Sequence, residues 1–146
     1  MDMNSVIRVV EGHADKLARR WLDRLRKEEE LMVAYLRVPE DQLLDAIRKT
    51  YEDIGNFIDH PRHPSVVDLF HDVGRRRKRE QIPLTEVIRA IQLARSVLWQ
   101  YVMEQGVFDS TVNLYQAINL HRQFVQFFDW GILYAVEAYQ EEKPGT

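Results

Sequence analysis

The run DSTVNLYQAINLHRQFVQFFDWGILYAVEAYQEE, residues 109–142, decides the fold. It holds no proline, and its apolar residues recur at steps of three and four. On a helix, Leu114, Ile118, His121, Val125, Phe128, Ile132, Val136 and Tyr139 make one stripe, and Ala117, Leu120, Phe124, Phe127, Gly131, Tyr134 and Ala138 a second beside it. Two adjoining stripes give a wider apolar face than a surface helix needs. The width predicts a central helix, or one shared between the chain's own core and a partner, expected to be a second copy of the chain. Phe124, Phe127, Phe128, Gly131 and Tyr134 are the candidate interface.

Upstream, Leu84, Val87, Ile88, Ile91, Ala94, Leu98 and Val102 repeat the helical spacing between Pro83 and a stop at Gly106. Before them, Val66, Leu69, Phe70 and Val73 predict a helix that Ser65 caps and that continues through Gly74. The run His60, Pro61, Arg62, His63, Pro64 separates it from a helix opened by Pro39, Glu40 and Asp41 and lasting to about residue 59. The first helix is expected over about residues 5–30, apolar at Val6, Val10, Ala14, Leu17, Trp21 and Leu25 and weakened only by Gly12. Asp109, Ser110 and Thr111 are N-cap candidates for the last one. Nothing alternates as a strand does. The expectation is an all-α bundle of about five helices with a long C-terminal helix, a single domain over residues 1–146, compatible with a distantly globin-like arrangement.

Composition narrows the function classes. With no cysteine, disulfides, thiolate metal sites and cysteine nucleophiles are excluded, which fits a reducing compartment. The start lacks the basic and apolar segments of a secretory leader, and no run reaches the ~18 apolar residues of a membrane span. A cytoplasmic protein is expected. The net charge of −3 hides one concentration, Arg75, Arg76, Arg77, Lys78 and Arg79, in an otherwise acidic chain. Nucleic-acid domains spread their cations over a face and interleave readers, so the run reads as a solvated helix face or a docking patch for an acidic partner.

No catalytic motif appears, neither a nucleophile elbow, nor a phosphate-binding loop, nor a His-Glu-x-x-His helix. A non-catalytic protein without a cofactor is expected. Asp68 with His71 matches one half of a di-iron pattern and has no second copy; His60, His63 and His71 are too few and too bracketed by proline to predict a zinc site. His121 lies on the first stripe of the long helix, where a haem protein would place its ligand, but too little chain follows to close such a pocket. It reads as a core or interface histidine. Trp99, His121 and Trp130 are the candidate lining of an aromatic pocket between the last two helices, the alternative being a sensor of an apolar ligand or of haem.

The stretch VGRRRKREQIPLTEVIRAIQLARSVLWQY, residues 73–101, carries a Gly-Arg-Arg, then Glu-Gln-x-x-Leu, then an aliphatic run ending in an aromatic pair. It resembles the N-terminal regulatory domain family of the RsbR- and RsbD-type RsbT co-antagonists of bacterial stress signalling. His13, Ala14, Trp21 and Leu25 are similar to that family's opening helix. Ile82 departs from it, standing where a glycine is expected in the turn. The resemblance implies a helical, dimeric input module that senses a signal or scaffolds an assembly. It also implies an output domain of the STAS type, here expected in another chain and bound in trans.

Overall fold

The computed structural model describes residues 3–105 and 110–145. Among these the chain is all α, with seven helices, one 3-10 turn and no strand. They are α1 (Met3–Gly12), α2 (Ala14–Lys27), α3 (Glu40–Glu52), α4 (Ile54–Phe57), α5 (Pro64–Arg79), α6 (Leu84–Glu104) and α7 (Thr111–Glu141), with the 3-10 turn at Tyr35–Arg37. The expected stop at Gly106 and cap at Asp109 lie outside the described residues.

Two expected helices are divided. The first breaks after Gly12, where His13 leaves helical geometry at φ −117° and ψ 26° and its amide is shared by the carbonyls of Val9 and Val10. The second ends at Glu52, and α4 follows as a single turn after Asp53. Ser110, extended at φ −152°, caps α7 by accepting the Asn113 amide at 3.1 Å. At the start of α5 the cap is His63 rather than Ser65: its Nδ1 accepts the Ser65 amide at 3.0 Å, with Pro64 in the first turn.

The buried side chains form one continuous cluster. α5 lies along α7, α2 packs on α3, and α6 stands between α2 and α7. Two glycines set the α5–α7 approach. A Cβ on Gly74 would sit 2.2 Å from the Ala135 carbonyl oxygen, and one on Gly131 would sit 2.6 Å from the Phe70 ring. The helices therefore meet backbone to backbone at one point and ring to backbone at the other. Trp21 of α2 donates to the Ala90 carbonyl at 2.9 Å and Tyr51 of α3 to the Ala94 carbonyl at 2.8 Å, so two hydroxyl or indole groups tie α6 to its neighbours one turn apart. Glu28–Arg89, Arg20–Glu104 and Arg95–Asp129 bridge helices at the surface.

The turn from α5 to α6 resolves the departure at Ile82. Gln81 takes the left-handed conformation at φ 62°, its amide bonds to Lys78, and the Ile82 amide bonds back to Arg77. This is a Schellman stop with glutamine in the glycine position. Ile82 itself is buried, and its carbonyl accepts the Tyr139 hydroxyl at 2.6 Å, fastening the turn to α7.

Candidate interaction surface and central cleft

The candidate interface of the long helix lies inside the chain. Phe124, Phe127, Phe128, Gly131 and Tyr134 are all buried in the core. Phe127 sits edge-on to Phe70 of α5 at 5.7 Å between ring centroids and to Phe128 at 5.2 Å, and the Tyr134 hydroxyl donates to the Pro61 carbonyl. They are corrected from interface to core, because α5 and α6 cover the second stripe and Phe128, from the first, is buried edge-on against Phe127. The first stripe is the one left open at its beginning. Its Leu114 and Ile118 are exposed, Ile118 at 61%, and Val112 at 67% and Tyr115 at 78%, which lie on neither stripe, are exposed on the same turns; Met103 at the end of α6 is exposed as well.

The aromatic pocket is not assembled either. Trp99 meets His121 with centroids 4.6 Å apart and Phe124 at 6.3 Å. Trp130 instead stacks on Tyr134 at 5.8 Å with the Arg62 guanidinium over its ring. Positions 121 and 130 lie nine residues apart, which at ~100° per residue puts them on opposite sides of one helix. His121 is exposed, not a core histidine, and its ring lies against Trp99. Of the other histidines, His63 serves as a cap and His71 approaches Glu137 at 4.0 Å. Among the described residues no group of three or more His, Asp or Glu side chains could hold a metal ion.

The basic run is not one patch. Arg75 is exposed, Arg76 pairs with Asp72 at 3.0 Å, Lys78 lies over the Tyr139 ring and Arg79 reaches Glu142 at 3.2 Å. Arg77 turns inward and is 1% exposed. Its Nε donates to the Tyr35 hydroxyl at 3.2 Å and its Nη1 to Glu80 at 2.6 Å, with the guanidinium 5.0 Å from the Tyr35 ring centre. Burial works against that charge, but Tyr35 and Glu80 outweigh it and hold the Arg77 pKa above its ordinary value. The spacing Val66, Phe70, Gly74, Arg77 carries the signal for this, since it continues the buried stripe of α5 into the basic run.

Arg77 belongs to a buried polar group that sequence reasoning missed. Glu86, also buried, accepts the backbone amide of Tyr35 at 2.9 Å, so the 3-10 turn is held from α5 and α6 together. Tyr35 stands edge-on to Trp21 at 6.1 Å. Between these groups and α3 lies a cleft of about 40 Å³, walled by apolar side chains such as Ile47, Phe70 and Ile91 and by Arg77 and Thr50.

These features define a helical domain whose polar side chains tie helices together and whose exposed large apolar side chains include a group of four at the start of its long helix. Residues 15–144 match the family described as the RsbT co-antagonist protein rsbRD N-terminal domain, and the chain belongs to that family, a regulatory one. No curated protein and no solved structure matches the chain. No helix among the described residues is long and apolar enough to cross a membrane.

Proposed function

We propose that this chain is a non-catalytic input or scaffold module of bacterial stress signalling. It works in the cytoplasm through protein–protein contacts, pairing with a second copy of itself and passing its state to an output protein in trans. The observation that carries the reading is the group of exposed apolar side chains on the first two turns of α7, Val112, Leu114, Tyr115 and Ile118. Contiguous apolar surface of this kind marks contact sites on soluble domains. An apolar patch on one helix can meet its own copy across a two-fold axis, the commonest symmetry of homo-oligomers. The family description, a co-antagonist, supports a protein as the output partner.

Sedimentation of the intact chain at micromolar concentration tests the pairing. The expected species is a dimer, and Tyr115→Glu with Ile118→Glu should give a folded monomer, because both positions are exposed and outside the core. A wild-type chain that sediments only as monomer overturns the pairing.

A further inference from the structure

We propose that the second copy lies along the solvent face of α7 with the two helices antiparallel and the two-fold axis between residues 125 and 126. This rests on the pairing proposed above and fixes its arrangement. Tyr115, Ile118, Arg122, Gln126, Asp129 and Leu133 are all exposed. At ~100° per residue they fall within about 80° of the helix circumference, so they make one row down its outer side. The apolar group on the first two turns is one end of that row, and Leu133, 46% exposed, is the other.

The order of chemistry along the row sets the direction. It runs apolar, cation, amide, anion, apolar through Ile118, Arg122, Gln126, Asp129 and Leu133. Such a row complements its own copy only when the copy is reversed. The axis beside Gln126 then sets Ile118 against the partner's Leu133 and Arg122 against the partner's Asp129, each contact occurring twice. A parallel pairing in register sets Arg122 on Arg122 and Asp129 on Asp129, and like charges so placed oppose association. Both charges stand at the surface: the Asp129 side chain is 60% exposed while its Oδ1 accepts from Arg95 at 3.3 Å, and exposed Arg122 uses Nη2 on Asn119 at 2.9 Å. A guanidinium donates five hydrogen bonds and a carboxylate accepts several, so neither local bond exhausts its group. A shallow hollow lined by Gln126, Asp129, Trp130 and Leu133 lies toward the far end of the row and gives the partner's Ile118 a seat.

The chain has no cysteine, so introduced thiols report the register alone. Under mild oxidation of the intact chain, Ile118→Cys with Leu133→Cys should form a disulfide-linked dimer at least tenfold faster than Ile118→Cys alone. Across the axis the two 118 positions lie about 22 Å apart at ~1.5 Å per residue, well beyond the ~7 Å that a disulfide spans. Positions 118 and 133 of one chain are equally far apart, so the link joins two chains. In sedimentation, Arg122→Glu should weaken the dimer at least tenfold, and Arg122→Glu with Asp129→Arg, which reverses both charges, should return it to within about threefold of wild type. A dimer that links as fast through Ile118→Cys alone, that fails to link in the double variant, or that is not restored by the charge reversal overturns the antiparallel arrangement and leaves the pairing standing. A wild-type chain that is only monomeric overturns both.

Discussion

Arg77 shows how differently neighbouring arginines act. Replacing it with methionine would leave the Tyr35 hydroxyl and the partly exposed Glu80 without their partner, and should cost about 2–3 kcal/mol in urea denaturation, less than the ~3–5 kcal/mol of a fully buried broken pair because water reaches Glu80. Arg79→Met, two positions on and exposed, should change stability by no more than about 0.5 kcal/mol. Equal losses in the two variants would show that burial does not separate them. Gln81 offers the opposite case. Its left-handed backbone burdens any residue with a Cβ, so Gln81→Gly should stabilise by about 1 kcal/mol, less the exposed hydrogen bond from its side chain to the Gly145 carbonyl. A lowered denaturation midpoint in that variant would contradict the Schellman assignment.

Among the elements, α5 and α7 form the tightest pair, and two glycine substitutions separate packing from propensity. Gly74→Ala drives a methyl into the Ala135 carbonyl, which belongs to backbone and cannot swing aside, and should cost about 2–3 kcal/mol. Gly12→Ala meets nothing within 4 Å and should gain up to about 1 kcal/mol from helix propensity. Thermal melts of both variants check the contrast, and similar midpoints would sink it. The helices themselves were legible in the sequence: the stripes of α6 and α7 and the His60–Pro64 breaker all follow from spacing and proline chemistry. What spacing along one helix leaves open is which stripe a neighbour takes, so Phe124 and Phe127 read as interface until α5 and α6 covered them. Arg77 was hidden differently. Taken as part of a basic block it suggests solvent, whereas its place after Val66, Phe70 and Gly74 points inward. Trp99 and Trp130 were grouped by aromatic character, although the helical half-turn between His121 and Trp130 already parts them.

For the whole molecule, pH acts at both ends of the scale. The hydrogen bond from Arg89 holds the Glu28 carboxyl below the usual carboxylate range and joins α6 to the end of α2. A carboxylate with a depressed folded-state pKa adds stability above its unfolded value of ~4.5, lost as pH falls through the folded one. Stability should therefore decline below about pH 4.5, less steeply in Arg89→Gln, as acid titration followed by circular dichroism would show. At the alkaline end, burial raises the Tyr51 phenol above its ordinary value, while the unfolded chain still ionises near pH 10. The folded state thus loses ground as pH rises past about 10, and Tyr51→Phe should remove part of that loss at the cost of the bond to Ala94. An unchanged alkaline slope in Tyr51→Phe would place the sensitive group elsewhere.

The glycine contacts also fix where α7 pivots. The residues that touch α5 most closely, 131–135, lie about 12 Å from the last residue of the 31-residue helix and about 33 Å from its first, at ~1.5 Å per residue. The helix is thus a lever with unequal arms: a small sideways push beside Glu142 arrives at Val112 and Ile118 reversed and enlarged about twofold.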